Sequence, residues 1–209
     1  MRKILTVLAA LLFASAPAFA PSAFAMTEAE AISKAEGYLN GINTLQARFT
    51  QVNPDGSSNE GDLYISRPGK MRLVYDPPSP LEMVADGVFL IIVDKQMKDV
   101  SHIGLNDTPA GLLLKKDLTF KDPEIKLGGV KSAAGTVEIA ASMAKDPAAG
   151  KLTLIFTEAP FELKQWRVLD AQRKEVVVTL DNIRLGGKMD PSLFKYDERK
   201  RGQDRGDKN

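Results

Sequence analysis

The sequence predicts a mainly β fold of the α+β type, in which one antiparallel sheet meanders and curls on itself. Segments in which apolar and polar residues alternate recur along most of the chain. Their connections are mostly short and carry glycine, proline or aspartate, as do the turns between sequential antiparallel strands. Only two segments have helical character, one before the first strand and one that interrupts the series.

Residues 1–25 have the organisation of a secretory signal peptide. Met1-Arg2-Lys3 is a charged start, and the apolar run that follows is shorter than the roughly 20 residues of a membrane-spanning helix. Two sites suit cleavage, Ala18-Phe19-Ala20 and Ala23-Phe24-Ala25, and we favour the second because the sequence changes character at Met26. We therefore expect export to the periplasm.

After cleavage at position 25 we expect one domain over residues 26–196 and a charged, disordered tail over residues 197–209. It removes two basic residues and no acid from a chain with 28 basic and 27 acidic residues. The mature chain thus has 26 basic residues and a net charge of −1. A near-neutral chain without a basic stripe gives no electrostatic reason to expect nucleic-acid binding.

The chain contains no cysteine. An exported protein could use disulfides, but this one must rely on a single core for its stability. Because lipidation after export requires a cysteine at the cleavage site, the protein cannot itself be a lipoprotein. Any acyl chains that it handles therefore belong to another molecule.

Two helices are predicted, and each follows a threonine suited to helix capping. Apolar residues at helical spacing follow Thr27 and predict an amphipathic helix of about four turns that ends near Gly41. Thr108 precedes a proline and the apolar run Leu112–Leu114, and lysines follow, which predicts a short apolar helix.

Strands are predicted from alternation. Leu45, Ala47 and Phe49 alternate with polar residues, so the first strand has one buried and one solvated face. Residues 61–67 and 71–75 flank a Pro-Gly turn and predict an antiparallel hairpin. Further strands are expected over residues 81–85, 88–93, 96–103, 135–141, 151–157, 163–169 and 176–183.

The sequence offers little support for catalysis. It has one histidine, His102, and no cysteine, so it lacks the groups for common nucleophilic triads, and no metal-binding or phosphate-loop motif is present. We expect no catalytic residues, no metal site and no cofactor. Acidic residues could still converge for glycosidic chemistry, with Asp62, Glu82 and Asp86 as candidates, which leaves a carbohydrate-active enzyme as an alternative.

The segment Val88–Val93 is apolar at every position, which indicates a strand covered on both faces. In a curled sheet this predicts an outer face under a helix and an inner face towards an enclosed space. An ordinary core strand is equally consistent with this segment alone. The second apolar helix, with Leu112–Leu114, favours the enclosed space because it could cover it.

Four motifs, in this order and spacing, resemble those of the LolA-like outer-membrane lipoprotein carriers over about residues 27–195. They lie at Phe49-Thr50-Gln51, at Gly61-Asp62-Leu63 with Arg67-Pro68, at Pro80–Gly87 and at Thr108–Leu113. The resemblance implies a strongly curved, incomplete antiparallel β-barrel with a helical lid over an apolar cavity. It implies a monomeric periplasmic carrier of lipidated proteins, loaded by an inner-membrane ABC-type release complex and unloaded at an outer-membrane acceptor.

Within this resemblance, side-chain parity selects candidate cavity residues. If Arg67 points inward, as its family counterpart does, Leu63 and Ile65 point inward with it. The candidate acyl-binding residues are Phe49, Leu63, Ile65, Met71, Leu73, Tyr75, Phe89 and Ile91. Leu112, Leu113 and Leu114 are the candidate lid.

Arg67 is the candidate latch. Its guanidinium has five N–H donors, which could bond to carbonyls of the lid or of nearby loops and hold the empty cavity shut. Considered without the family, it could equally be an exposed arginine at a strand end, paired with an acid. Because relatives of the same fold include sensors, the alternative function is a periplasmic lipid-sensing or lipoprotein-sensing regulatory module.

Overall fold

The computed structural model describes residues 26–196. In this range the chain forms two α-helices and eleven strands. The helices are α1 (Glu28–Gly41) and α2 (Pro109–Leu114). The strands are β1 (Thr44–Val52), β2 (Ser58–Ser66), β3 (Lys70–Tyr75), β4 (Leu81–Asp86), β5 (Phe89–Asp94), β6 (Asp99–Gly104), β7 (Ile125–Ala133), β8 (Thr136–Met143), β9 (Gly150–Glu158), β10 (Phe161–Asp170) and β11 (Glu175–Leu185).

All eleven strands belong to one antiparallel sheet with the order β6-β5-β4-β3-β2-β1-β11-β10-β9-β8-β7. Neighbours in the sheet are neighbours in the chain except where β1 pairs with β11. Strands β6 and β7 remain at the two edges, so the sheet curves without closing. This confirms the predicted mainly β fold with an incomplete antiparallel barrel.

Both predicted helices are present, and both are capped as expected. The Thr27 side chain accepts a hydrogen bond from the Glu30 backbone N–H at 3.3 Å, and the Thr108 side chain accepts one from Gly111, also at 3.3 Å. These bonds satisfy backbone donors that the first helical turn leaves free. No helix within residues 26–196 has the length and apolar composition needed to cross a bilayer.

Strand β7 was not predicted, and β6 begins later than predicted. Strand β7 contains two consecutive glycines, and its pairing with β8 shifts register between Leu127 and Gly129, which interrupts the alternation that marks a strand. The residues before β6 form a turn instead, because the Asp94 carboxylate accepts the backbone N–H groups of Gln96 and Met97 at 2.9 and 2.8 Å.

The main core lies between the concave face of the sheet and the two helices. Helix α1 contributes Ala31, Ala35 and Leu39, all at most 1 % exposed, as its helical spacing predicted. Helix α2 follows the edge strand β6 in the chain and contacts β8 and β9. The helices therefore cover the apolar surface that an open sheet would otherwise expose.

The outer face of β3–β5 is also covered. The C-terminal 3₁₀ turn Pro191–Phe194 packs on β3 and β4, and Arg72 donates a hydrogen bond to the Leu193 carbonyl at 2.9 Å. Val84, Ile91 and Phe194 are buried there, apart from the main core. On its outer face β5 is thus covered at Ile91, as its composition predicted, although the cover is a 3₁₀ turn and Phe89 stays 42 % exposed.

Gly61 on β2 lies so close to its neighbours on β1 and β3 that a side chain at this position would not fit. A Cβ atom at this position would lie 2.2 Å from the Val74 carbonyl oxygen and 2.8 Å from the Phe49 ring. We expect Gly61→Ala to destabilise the protein by about 1–3 kcal/mol through overpacking, measured by urea denaturation. Gly37→Ala is the matched control, because nothing lies within 4 Å of that helical position. It should be neutral or stabilising, and equal stability of the two variants would contradict the prediction.

Candidate functional site

The strand register places six candidate residues on one surface. Ile65 lies opposite Met71, and Leu63 lies opposite Leu73, so these side chains share a face. The members of this set, all buried in the main core, are Phe49, Leu63, Ile65, Met71, Leu73 and Tyr75. Their assignment to the concave face agrees with the parity argument, and acyl binding by them stays a prediction.

The predicted inward orientation of Phe89 and Ile91 is wrong. On β4 and β5, Ala85 pairs with Leu90, and both belong to the main core, so Leu90 continues the concave row. Ile91 pairs with Val84 and is buried on the outer face. Phe89 lies two residues before Ile91 and therefore points to the same outer face. It is 42 % exposed and packs edge-to-face on His102, with ring centroids 6.0 Å apart.

The candidate lid is closed over the concave face. Leu112, Leu113 and Leu114 are 4 %, 4 % and 1 % exposed and lie in the main core. A cleft of about 560 Å³ runs beside the lid. Helix α2 lines it on one side, and the β2–β3 turn and the end of β8 line the others. The lid leucines thus pack on the apolar concave face of the sheet, and an open cleft lies beside them.

Arg67 bridges α1 and the segment directly after α2. Its guanidinium donates hydrogen bonds to the Leu39 carbonyl in α1 and to the Lys115 carbonyl just after α2. Longer bonds reach the Asn40 side chain at 3.4 Å and the Lys116 carbonyl at 3.3 Å. The candidate latch therefore has the carbonyl partners that the sequence suggested, and its function as a latch stays a prediction.

Two further features describe the surroundings of Arg67, the charge of its guanidinium and a neighbouring backbone hydrogen bond. Burial lowers the pKa of the Arg67 guanidinium, and the charge of Asp117 opposes this effect. The side chain nevertheless stays charged, because arginine titrates far above physiological pH. Next to it, the backbone N–H of Gly69 in the β2–β3 turn donates to the Leu114 carbonyl at 3.0 Å. The end of α2 is therefore held by one side chain and one backbone group of the same turn.

A second set of contacts links α1 to the segment after α2, and the sequence analysis did not identify it. Asn40 donates to the Leu118 carbonyl at 2.8 Å and accepts from the Leu118 backbone N–H at 2.9 Å. Glu36 accepts from the Thr119 hydroxyl at 2.9 Å and from the Phe120 N–H at 2.7 Å. The four-residue spacing of Glu36 and Asn40 on one helix face was the available signal.

We expect Asn40→Ala to loosen the segment after α2 while α1 stays folded. The substitution removes both hydrogen bonds to Leu118, worth about 1 kcal/mol each, as well as the long bond from Arg67, so exchange of the Leu118 amide hydrogen should accelerate roughly 5- to 30-fold. Hydrogen–deuterium exchange resolved by residue measures this. Ser33→Ala on the exposed side of α1 is the control. Unchanged exchange at Leu118 in the Asn40 variant would refute the expected role.

The acidic residues considered for glycosidic chemistry all have structural partners. Asp62 lies 3.4 Å from Arg48, and Glu82 pairs with Arg72 at 2.6 Å. Asp86 accepts two backbone N–H groups in the β4–β5 turn. Within residues 26–196, no group of three or more histidine, aspartate or glutamate side chains is arranged to hold a metal ion. These acids therefore stabilise turns and the outer face of the sheet.

Comparison with known proteins assigns the family. The family described as outer membrane lipoprotein carrier protein LolA matches residues 40–197. The chain belongs to the LolA family of outer-membrane lipoprotein carriers. The match includes Arg67 and the whole of α2, so the candidate latch and lid lie within the region that defines the family.

Individual LolA-family relatives agree with this assignment. The chain is 26 % identical over 183 residues to an outer-membrane lipoprotein carrier protein of Ralstonia nicotianae, covering 81 % of this chain and 84 % of the relative. It is 27 % identical over 195 residues to the carrier protein of Azotobacter vinelandii, covering 88 % and 92 %. The family name describes carriage of lipoproteins and not a chemical reaction.

A similar fold occurs in a solved structure of low sequence identity. The crystal structure of a DUF1329 family protein from Desulfovibrio piger superposes with a TM-score of 0.51 at 9 % identity. The superposition covers 79 % of this chain and 96 % of the other. At this identity the similarity shows the fold alone.

Proposed function

We propose that this LolA-family protein is a non-catalytic periplasmic carrier, exported through a signal peptide cleaved after Ala25, that binds the acyl chains of lipoproteins. It receives them from an inner-membrane ABC-type release complex and delivers them to an outer-membrane acceptor. The observation that carries the proposal is the closed lid. Leu112–Leu114 occupy the concave apolar face, and Arg67 connects α1 to the residue that follows α2.

Energetics favour exchange of the lid for an acyl chain. At about 0.8 kcal/mol per methylene, burying a chain of ~15 methylenes gains on the order of 12 kcal/mol. Exposing three leucines costs roughly 5–9 kcal/mol at about 1.5–3 kcal/mol each. Opening the lid also breaks the bonds of Arg67. Loading is therefore favourable by only a few kcal/mol, which suits a carrier that must release its cargo.

Mass spectrometry of the protein purified from the periplasm of a bacterial host tests this function. We expect a complex of one carrier with one lipidated protein, and loss of that complex when the cargo's lipidated cysteine is replaced. A carrier that is empty, or that holds only free lipid, would favour a sensing module instead. Depletion gives an independent measure, because loss of a carrier should leave outer-membrane lipoproteins in the inner membrane.

A further inference from the structure

A polar pair interrupts the apolar concave face. The Tyr75 hydroxyl on β3 donates to the Gln51 side-chain carbonyl oxygen on β1 at 2.8 Å, and both side chains are buried. The Gln51 side-chain NH₂ donates in turn to the Asn53 side-chain oxygen at 2.7 Å. Phe49 packs edge-to-face on the Tyr75 ring, with centroids 5.1 Å apart. A buried polar pair costs desolvation energy, which its own hydrogen bonds must offset.

The pair lies where the covered apolar surface begins to open. At the Arg67 end of the concave face, Ile65 and Met71 are at most 5 % exposed beneath the helices. At the Tyr75 end the neighbouring inward side chains are partly exposed. They are Leu81, Met83 and Ile92 on β4 and β5, and Val168 and Val176 on β10 and β11. The Met83 sulfur lies 3.7 Å from the Tyr75 hydroxyl, so the pair adjoins this partly exposed rim.

The dimensions of β1 fit one acyl chain lengthwise. From Leu45 to Gln51 the strand rises by six residue steps, or about 20 Å at ~3.3 Å per step. One acyl chain covers about 15 Å, half of the ~30 Å hydrocarbon core of a bilayer. A chain whose polar linkage lies at Gln51 could therefore extend along the concave face to the region beneath the lid. Its linkage carbonyl would then meet the single polar pair described on this part of the face.

We propose that Gln51 binds the ester carbonyl that links an acyl chain to its cargo, and that Tyr75 positions the Gln51 carboxamide for this contact. The inference rests on the proposed carrier function. The Gln51 NH₂ group carries two N–H donors, of which Asn53 takes one and a ligand carbonyl can take the other. Side-chain hydrogen bonds run from the Gln51 NH₂ group through Asn53 and Ser57 to the Asp55 carboxylate, which can only accept, so they fix which end of the Gln51 carboxamide is the donor. The bond from Tyr75 then holds the carbonyl oxygen at the other end. Burial raises the pKa of Tyr75, so its hydroxyl remains a neutral donor at physiological pH.

Binding of two synthetic peptides tests the subsite. Both carry a glycerol with two sixteen-carbon chains on a terminal cysteine, through ester bonds in one peptide and ether bonds in the other. The ether peptide lacks the carbonyls and keeps the hydrocarbon. Because a neutral hydrogen bond is worth about 0.5–1.5 kcal/mol, the wild-type protein should bind the ester peptide roughly 2- to 10-fold more tightly. Gln51→Leu should remove this preference by weakening ester binding alone.

Two further variants guard against a purely structural effect. Gln46→Leu is the matched control, since Gln46 lies on the same strand and faces outward opposite Tyr64. It should keep the ester preference. The double variant Gln51→Leu with Tyr75→Phe removes both hydrogen-bonding partners, so neither polar group is left unpaired. It should fold and bind both peptides equally.

The outcomes separate this inference from the carrier function. Equal wild-type affinity for the ester and ether peptides would overturn the subsite and leave the carrier function standing. So would a loss of affinity in Gln51→Leu that is the same for both peptides. Failure of the wild-type protein to bind either peptide would overturn the carrier function and the subsite together.

Discussion

Replacing Arg67 with leucine is expected to leave cargo loading intact and to slow cargo release by about 10- to 100-fold. The guanidinium, as the proposed latch, donates hydrogen bonds to the Leu39 carbonyl in α1 and to the Lys115 carbonyl just after α2. Because the side chain is only partly buried, we assign these two bonds about 1.5–3 kcal/mol together. Loss of these bonds destabilises the closed, empty state. The lid then competes less strongly with bound cargo for the concave face, so the cargo is released more slowly. The rate of lipoprotein transfer from purified carrier to outer-membrane vesicles measures the effect.

Two arginine variants make this result specific. Arg67→Lys keeps the charge, but one ammonium group cannot bridge both carbonyls as the planar guanidinium does, so an intermediate rate is expected. Arg184→Leu removes an exposed arginine from β11 and should transfer at the normal rate. Wild-type transfer by Arg67→Leu would show that these bonds do not oppose cargo, and that Arg67 serves only to hold the fold together.

Replacing Phe156 with alanine is expected to cause the largest loss of stability, about 3–5 kcal/mol from lost burial and the cavity left behind. Phe156 is fully buried on β9. Its ring stacks on Phe161, with centroids 4.9 Å apart, and meets Tyr38 of α1 edge-on at 5.9 Å. The residue therefore joins α1 to the sheet. Urea denaturation followed by circular dichroism measures the free energy of unfolding.

The matched control for Phe156 is an exposed apolar residue in the same sheet. Val52 is 41 % exposed at the end of β1, so Val52→Ala should change stability by less than about 0.5 kcal/mol. A loss below about 1 kcal/mol for Phe156→Ala would mean that neighbouring side chains collapse into the space.

Some parts of the site could be predicted and others could not, and Arg67 shows the difference. Its position after an alternating strand, together with the family resemblance, predicted donors aimed at carbonyls of the lid or of nearby loops, and bonds to Leu39 and Lys115 are present. Asn40 and Glu36 remained unassigned because their partners lie about 80 residues away in the chain. Contacts between distant segments have no local pattern that would reveal them.

The sequence by itself determined the class of fold and the elements that build the lid. Alternation located nine of the eleven described strands, an unbroken apolar run located β5, and a threonine before each apolar helical run located both α-helices. These features are local, because periodicity and capping depend only on residues within a few positions of one another. The missed strand, β7, contains the Gly128-Gly129 pair and a register shift that hide its period.

Only the tertiary structure decided which side of β5 faces the core. A strand that is apolar at every position has no polar face to orient it, and a shift of one residue exchanges its two faces. Pairing with β4 places Leu90 inside and Ile91 outside, and Phe194, from the far end of the chain, lines a small cleft with Ile91. The inner and outer sets were therefore fixed by strand register and by a segment about 100 residues away, neither of which the local pattern contains.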